Sequence, residues 1–321
     1  MSAPIWIWIL FNVVVIGLIV LDLGVFHRKV HVESIRESAI WTAIWTLVAL
    51  LFNAGIYFYA GGEPALSFLS GYVIERALAV DNIFVFMMIF TAFSVPQVLQ
   101  YRALFWGIIG AIVLRAILIA TGTVIIERFE WVLYFFGAFL VVTGLRMLRN
   151  EEKEIDPGNH PVVRFLRRIV PVTHEYRGAR FMIRTKGSLA VTPLFVVLAV
   201  IAVSDLVFAL DSIPAIFAIT QDPFIVYTSN ILAVLGLQAM YSMLGGIIEQ
   251  FHLLKYGLAA VLAFVGVKML VAGFYHIPIA LSLGIIVAML GISIIASRIF
   301  PEKATIEPAG GVETIGPSSS H

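Results

Sequence analysis

Two short stretches of the sequence place acidic side chains at the same spacing inside apolar runs. Residues 75–82 read ERALAVDN, and residues 205–212 read DLVFALDS. In each stretch an acid precedes an Asp by six residues, and a small polar residue follows that Asp. An ionisable side chain inside a bilayer costs at least about 2.5–3.5 kcal/mol and usually faces a cavity that serves function. The candidate metal ligands are Glu75, Asp81, Asn82, Asp205, Asp211 and Ser212, together with Asp22 in the first apolar run.

The chemistry of these side chains predicts which ion they would hold. Carboxylate, amide and hydroxyl oxygens suit hard divalent cations such as Mn²⁺, Mg²⁺ and Ca²⁺, whereas zinc, copper and iron sites use His or Cys. The chain has no Cys, and its seven His residues lie in loops or at the ends of apolar runs. The oxygen set therefore predicts a hard divalent cation as a transported substrate, without separating Mn²⁺ from Mg²⁺ or Ca²⁺. No catalytic residue and no bound cofactor is predicted.

Several of these side chains have simpler alternative roles. Asp22 lies near the end of its apolar run and could be an interfacial residue, and Glu75 could form a local pair with Arg76. Arg115, in another apolar run, could neutralise an acid when no metal is bound, or could extend its charged end to the membrane surface. Small polar residues such as Asn82 and Ser212 could also be helix-packing contacts, as could Ser229 and Asn230.

The composition predicts an all-α polytopic membrane protein. Of 321 residues, 60% are hydrophobic and only 13% are charged, against about 25% charged in a soluble domain. The net charge of +1 gives no sign of a nucleic-acid partner. Each apolar run is near the roughly 20 residues that cross a bilayer. Nine helices are predicted, at about 5–26, 37–60, 65–92, 102–124, 130–148, 188–219, 224–247, 255–273 and 277–298.

The positions of Lys and Arg predict the orientation of these helices. Basic residues concentrate in the loop after the first run, in residues 149–187 and after the ninth run, and cytoplasmic loops carry such an excess. With nine spans, the N-terminus lies outside and the C-terminus lies in the cytoplasm of a bacterial inner membrane. Residues 149–187 are expected to be a cytoplasmic loop that sets topology, with an anionic-lipid or nucleic-acid surface as the alternative. Nothing basic precedes the first run, so it is expected to be a retained span and not a signal peptide.

An internal repeat divides the chain. Beyond the two acidic stretches, LRA at 114–116 matches LQA at 237–239, IIERF at 125–129 matches IIEQF at 247–251, and GLRML at 144–148 matches GVKML at 266–270. Helices 3–5 therefore repeat as helices 6–8, and three spans per unit make the units inverted across the membrane, as in secondary transporters. Inverted symmetry would bring the two acid pairs toward one another. The predicted divisions are 1–60 for two N-terminal helices, 61–148 and 188–273 for the repeats, 149–187 for the basic loop, 274–300 for the last helix and 301–321 for a disordered tail.

The spacing within each acidic stretch predicts a local break in the helix. Residues six apart on a regular α-helix lie about 120° apart in projection, so one straight helix would not aim both acids at one point. Pro214 follows Asp211 by three residues, and unwound backbone is tolerated where it lines a cavity. We therefore expect discontinuous helices at both acidic stretches.

With these residues in place, the chain resembles the TerC family, and within it the Alx-like branch. The resemblance rests on ERALAVDNIFV at 75–85, SDLVFALDSIPAIFA at 204–218 and LKYGL at 254–258, and it covers about residues 5–300. The family is named for tellurium resistance, and the resemblance implies manganese efflux that relieves manganese toxicity, with some members linked to the metallation of exported proteins. Carried over by position, Glu75, Asp81, Asp205 and Asp211 would form the acidic metal site, and Asp22 matches the family's acid in its first span.

The expected function is export of Mn²⁺ by alternating access, with protons as the candidate coupling ion and the lipid bilayer as the surroundings. No enzymatic activity is expected, and the oligomeric state is not predicted. Two alternatives stay open. One is a scaffold without transport activity in a tellurium-resistance or metallation complex. The other is an intramembrane hydrolase, because two acids that share a proton can act as a catalytic dyad.

Overall fold

A computed structural model describes residues 3–21, 34–129, 131–149, 156–157, 160–173, 175–185, 188–245, 253–275 and 277–300. Within these residues the chain is almost entirely helical, with one small antiparallel β-sheet. The helices are α1 Ile5–Leu21, α2 Ile35–Ala60, α3 Gly62–Ala92, α4 Gln97–Arg128, α5 Trp131–Arg149, α6 Pro161–Ile169, α7 Pro193–Phe217, α8 Pro223–Leu235, α9 Leu237–Leu244, α10 Leu254–Val271 and α11 Ile279–Ile299. The strands are β1 Met182–Thr185 and β2 Ser188–Val191.

The helices confirm an integral membrane protein with several spans. Among the described residues, six helices are long and apolar enough to cross a bilayer, namely α2, α4, α5, α7, α10 and α11. The consecutive helices α8 and α9 make a seventh if the pair, bent by 41°, forms one span. The predicted count of nine adds α1, which has 17 residues, and α3, which has three charged side chains between Glu75 and Asp81. That count stays a prediction.

The outer surface of the helices is apolar. Large side chains such as Leu51, Phe58 and Ile292 are 64%, 86% and 67% exposed. Water-soluble proteins rarely expose large contiguous apolar patches. Polar side chains are enclosed between helices instead, including Ser38, Asn82 and several residues of α8. Apolar outside and polar inside is the distribution expected when lipid surrounds the protein.

Helix α8 lies at the centre of the protein. Every residue from Phe224 to Leu235 is buried. Its first turn is stabilised by Asp222, whose carboxylate accepts a hydrogen bond of 3.0 Å from the backbone N–H of Phe224, with Pro223 at the first helical position. The helix ends at Gly236, and α9 then continues at an angle. Within the described residues, the bend between consecutive apolar helices therefore lies at Gly236.

The prediction of broken helices at the acidic stretches is wrong. Helix α3 is continuous through Glu75 and Asp81, and α7 is continuous through Asp205 and Asp211. Pro214 lies inside α7, which continues past it to Phe217 although its missing N–H leaves one hydrogen bond of the helix unmade. The two acids of each stretch therefore face different neighbours.

The start of the predicted sixth helix is also wrong. Residues 188–191 form β2, which pairs with β1 in antiparallel register, Met182 opposite Val191. The helix begins only at Pro193, which favours the first helical position and follows the cap residue Thr192. The basic segment 149–187 thus contains α6 and β1. The predicted disordered tail 301–321 and the repeat motif at 247–251 lie outside the described residues.

Glycines bring α5 and α10 into direct backbone contact. Gly137 lies against Gly266, and a side chain added at Gly266 would place its Cβ 2.6 Å from the carbonyl oxygen of Gly137. Gly144 lies against Ala259, where an added Cβ would be 2.7 Å from the carbonyl oxygen. The contact residues rise along α5 as they fall along α10, so the two helices run antiparallel. We call this contact the glycine seam.

The helices that carry the acids pack together as well. Gly71 of α3 lies against Ile216 of α7, and the rings of Phe86 and Phe208 are 6.5 Å apart. Because the contact residues rise along α3 as they fall along α7, these helices are antiparallel. Each also lies beside a helix of the other half of the chain, α3 beside α8 and α7 beside α4.

Candidate functional site

Arg115 of α4 joins an acid of α3 to an acid of α7. Its guanidinium group is enclosed and forms an ion pair with Glu75 through Nη1. Toward Asp205, Nη2 donates to Oδ1 at 3.0 Å and Nε donates to Oδ2 at 3.3 Å. Two parallel N–H donors on one carboxylate form a strong and directional contact. One basic side chain therefore holds the first acid of each stretch.

Asn230 of α8 completes this arrangement. Its Oδ1 accepts a hydrogen bond of 3.1 Å from Nη1 of Arg115, and its Nδ2 donates one of 3.1 Å to Oε2 of Glu75. Four helices thus contribute one side chain each, and none of the four side chains is more than 4% exposed. We call Glu75, Arg115, Asp205 and Asn230 the buried ion cluster.

Small residues explain how these side chains come within reach. An added Cβ at Gly71, one turn before Glu75, would lie 2.8 Å from the hydroxyl of Ser229, the neighbour of Asn230. On the other side, an added Cβ at Gly107 of α4 would lie 2.9 Å from Ile201 of α7. Close approach at these points places the following turns of the paired helices within hydrogen-bonding distance. Small residues at helix contacts are common in membrane proteins for this reason.

The charges of the buried ion cluster do not balance. The formal charges of two acids and one arginine sum to −1 on side chains that are almost fully enclosed. Removing ions from water is expensive, and attraction offsets that cost only where hydrogen bonds satisfy the remaining polar atoms. The arginine and the amide supply those hydrogen bonds. An excess negative charge in such surroundings attracts a further cation.

The second acid of α7 has a different environment. Asp211 is half-buried and accepts a side-chain hydrogen bond from Thr143 of α5. Its Oδ1 atom is enclosed and has no hydrogen-bond partner within the described protein, and the same holds for the hydroxyl of the buried Ser212. Buried polar atoms of this kind ordinarily have a partner. These two oxygens are available to a ligand.

The structure says less about the surroundings of the remaining predicted ligands, Asp81, Asn82 and Asp22. Asp81 is half-buried and interacts with another group of the protein, and Asn82 is buried in α3. Asp22 lies outside the described residues. Six residues of helix advance about 9 Å, and because α3 and α7 are antiparallel, the steps from Glu75 to Asp81 and from Asp205 to Asp211 run in opposite directions.

The structure therefore joins Glu75 and Asp205 through Arg115, and it does not gather all four carboxylates at one point. In the part of the chain that the structure describes, no three His, Cys, Asp or Glu side chains come together as a group that could hold a metal ion. A site made of all four carboxylates stays a prediction. Forming it requires a change of the arrangement around Arg115.

Two roles in the buried ion cluster were not resolved by sequence reasoning. Arg115 pairs with two acids and does not extend to the surface, and no feature of the sequence distinguishes Asn230 from a helix-packing residue. The alternative local pair of Glu75 with Arg76 is replaced by the pair with Arg115. Arg76 donates through Nε to the hydroxyl of Tyr72 at 2.9 Å and packs against Gly236. The sequence feature that points to a buried ion pair is the presence of Arg115 inside an apolar run.

Comparison with known proteins places the chain among membrane proteins. A family model described as "Integral membrane protein TerC family" matches residues 60–305. Membrane protein STKORF319 of Myxococcus xanthus is 48% identical over 94% of this chain and 95% of its own length. A protein of Salmonella typhi named "Putative membrane-bound redox modulator Alx" is 48% identical over 90% of this chain and 92% of its own length. No solved structure matches the chain.

Proposed function

From the premise that the chain belongs to the TerC family of integral membrane proteins, we propose that it exports a divalent metal cation, with Mn²⁺ as the first candidate. The ion enters from the cytoplasm of a bacterial cell, binds carboxylates between α3 and α7, and leaves on the other side of the inner membrane. The protein acts as a transporter and not as an enzyme. Mn²⁺, Mg²⁺ and Ca²⁺ all suit the oxygen ligands.

One observation carries the proposal. The first acids of two equally spaced pairs, Glu75 and Asp205, meet on one enclosed side chain between helices of both halves of the chain. Ionisable side chains at such a place are expensive and mark ion pathways. The second acids lie on the same two helices. An oxygen of Asp211 and the hydroxyl of Ser212 are enclosed and have no hydrogen-bond partner in the described part of the chain, so they can receive a cation.

The helix contacts support an inverted repeat. The offset of 122 residues that relates Gly144 to Gly266 also relates Gly137 to Ala259. The contact of Gly137 with Gly266 is thereby exchanged with the contact of Ala259 with Gly144, as expected for an antiparallel pair related by a pseudo-two-fold axis. Such an axis in the membrane plane is the symmetry of many secondary transporters.

The contacts beside the acids support the same relation. The offset of 130 residues that relates Glu75 to Asp205 also relates Gly71 to Ile201. Gly71 packs against Ser229 of α8, and Ile201 packs against Gly107 of α4. The match of residues 114–116 with 237–239 has an offset of 123 residues, which relates Gly107 to Asn230, the neighbour of Ser229, so the two contacts correspond to within one residue. The proposed units are α3–α5 and α7–α10, with α8 and α9 counted as one span.

The proposed mechanism is alternating access. The two repeats rock about the acidic site and open it to one side of the membrane at a time. Nine spans, with the N-terminus outside and the C-terminus in the cytoplasm, are part of this proposal because they place the basic segments inside. Protons are the proposed coupling ion, since carboxylates that release a metal can accept protons. In membrane vesicles, collapse of the pH gradient should then reduce efflux, and efflux that is unaffected contradicts the coupling.

The name of the Salmonella relative points to redox modulation in that protein. The present chain has no Cys, so a redox role would not involve a thiol of its own, and a change in cellular metal is the simpler connection. A scaffold in a tellurium-resistance or metallation complex is the second candidate. It predicts that neutral variants of the four acids keep their function.

The test of the proposed function is the manganese content of bacterial cells that lack their own exporters. Cells with the wild-type protein should hold less manganese than cells without it, and Asp81→Asn and Asp211→Asn should abolish the difference. Glu63→Gln is the matched control, because Glu63 is an exposed acid at the start of α3. Export by both Asp variants at the wild-type level contradicts the acidic site, and no export by the wild type removes Mn²⁺ as the substrate.

A further inference from the structure

Arg115 occupies the position between two carboxylates in which a metal ion would be expected. We propose that Arg115 is the resident cation of the transport site, and that a divalent ion binds to Glu75 and Asp205 only by displacing its guanidinium group. This inference rests on the proposed function. In this positioning role, Arg115 competes with the transported ion for the two carboxylates. The competition favours divalent over monovalent cations.

The geometry of the guanidinium group supports this role. Arg115 donates to Glu75 through Nη1 and to Asp205 through both Nη2 and Nε, so the two carboxylates point toward one cationic centre. A divalent ion uses the same carboxylate oxygens as ligands. The ion and the guanidinium group therefore cannot hold both acids at the same time.

Asn230 is placed to assist the exchange. Its Oδ1 accepts from Arg115, and its Nδ2 donates to Glu75. When the guanidinium group leaves, Nδ2 can stay bonded to Glu75, and Oδ1 becomes a further neutral oxygen beside the acids. Amide oxygens are suitable ligands for hard cations. The amide thus fits both arrangements.

The charges predict a selection by valence. With Arg115 in place, the cluster carries −1, and exchange of the guanidinium group for a divalent ion brings the two acids to neutrality. Exchange for Na⁺ or K⁺ replaces one positive charge by another and gains no electrostatic energy. Charge differences have large effects in surroundings of low dielectric constant. Arg115 should therefore exclude monovalent cations from the site.

The repeat-related position shows that one arginine serves both acids. Gln238 corresponds to Arg115 in the second repeat motif, and it is a neutral residue. Its side chain is buried, and its Nε2 atom has no hydrogen-bond partner within the described residues. A second cation at this position would remove the negative charge that attracts the metal. A single displaceable cation keeps that charge.

The test uses the purified full-length protein in lipid nanodiscs and measures the midpoint of thermal unfolding. Wild type is compared with Arg115→Gln in a chelator and in titrations of Mn²⁺, Mg²⁺ and Na⁺. The matched control is Arg102→Gln, because Arg102 is on the same helix but lies over the ring of Phe181 at 5.7 Å. Arg115→Gln should unfold at a lower temperature in chelator, because it leaves two buried carboxylates without a cation.

If Arg115 is the resident cation, Mn²⁺ should restore the unfolding midpoint of Arg115→Gln. Mn²⁺ should also bind Arg115→Gln at least about tenfold more tightly than it binds wild type, since no guanidinium group competes. Na⁺ should stabilise this variant and leave wild type unchanged. Arg102→Gln should respond to each ion as wild type does. The purely structural alternative predicts that Mn²⁺ stabilises wild type and fails to restore Arg115→Gln, and that result overturns the inference.

Arg115→Lys keeps the measurement decisive if Arg115→Gln does not fold. Lysine retains the charge but lacks the planar donors that hold both acids, so Mn²⁺ should bind this variant more tightly than wild type, and equal or weaker binding overturns the inference. Failure of the proposed function can be distinguished from failure of this inference, because wild type would then neither export nor bind any divalent ion. In that case, restoration of the variants by a metal would still identify the cluster as a cation site.

Discussion

The two pairs of repeat-related acids have the same spacing on the same two helices and very different surroundings. Glu75 and Asp205 are enclosed and held by Arg115, whereas Asp81 and Asp211 are half-buried, and one oxygen of Asp211 has no hydrogen-bond partner among the described residues. The difference arises from the neighbouring helices, because α4 and α8 face the first acids and α5 faces Asp211. Carboxylates at the same spacing thus obtain different environments from their neighbours: one pair is enclosed beside Arg115, and the other is only half-buried.

Neutralising each pair as a whole should give the largest contrast. The double variant Glu75→Gln with Asp205→Asn strands Arg115 as an unpaired buried cation, and we expect it to lower the free energy of unfolding by about 3–5 kcal/mol. The double variant Asp81→Asn with Asp211→Asn leaves Arg115 paired with both of its acids, and we expect it to lose less stability. Unfolding in nanodiscs with chelator measures both, and equal losses would contradict the distinction between the pairs.

Single neutralisations provide the control for this comparison. With Glu75→Gln alone, Arg115 keeps its two hydrogen bonds to Asp205, and with Asp205→Asn alone it keeps its pair with Glu75. Each single variant should therefore lose much less stability than the double variant. A single loss as large as the double loss would mean that the arginine does not share its charge between the two acids.

Removal of the amide should have the next largest effect. Asn230→Ala takes a donor from Glu75 and an acceptor from Arg115, and we expect a loss of about 1–3 kcal/mol. Ser229→Ala is the matched control, since the hydroxyl of Ser229 bonds to the backbone carbonyl of Val226 within its own helix. The difference between the two variants in nanodisc unfolding isolates the cluster contact. Equal losses would show that α8 itself, and not the cluster, is disturbed.

Thr143 provides a smaller effect on the second pair. Thr143→Val removes a hydrogen bond to Asp211, and we expect a loss of about 0.5–1.5 kcal/mol together with altered metal affinity. Thr121→Val is the control, because the Thr121 hydroxyl bonds to the carbonyl of Ile117 in its own helix. A metal titration followed by thermal unfolding measures both quantities. Unchanged metal affinity in Thr143→Val would argue against Asp211 as a ligand.

The smallest expected effect is a dependence of stability on pH. It comes from the basic segment and not from the two pairs of acids. Burial lowers the pKa of His160, which precedes α6 outside the membrane spans. The folded state therefore resists protonation of this imidazole. Stability should fall slightly as the pH drops below about 6.5, where the unfolded chain takes up the proton first. His160→Gln should remove this component, and any slope that persists in unfolding at different pH values belongs to other groups, including the carboxylates.

The sequence predicted the helices and the acids better than their contacts. The apolar run predicted at 65–92 agrees with α3 at Gly62–Ala92. The strand at 188–191 was missed since its apolar residues continue into the next helix. The break at Gly236 was missed because a lone glycine is compatible with a helix.

The buried ion cluster shows where sequence reasoning ends. The repeat motif predicts that the acids of the two stretches approach one another, and Glu75 and Asp205 do so through Arg115. The contact of Arg115 with Asn230 joins residues 115 positions apart, and it depends on how closely α4, α7 and α8 approach. That approach is set by glycines such as Gly71 and Gly107, whose packing partners no local pattern identifies.

The glycine seam between α5 and α10 has a mechanical consequence. At Gly137, Gly144 and Gly266, backbone lies against backbone, so there are few side chains that could change rotamer to let the helices slide. Side-chain contacts such as those of Phe86 with Phe208 between α3 and α7 can be rearranged at lower cost. We therefore expect the contact between α5 and α10 to stay intact as a stiff hinge, about which the other helices of the two proposed units rock.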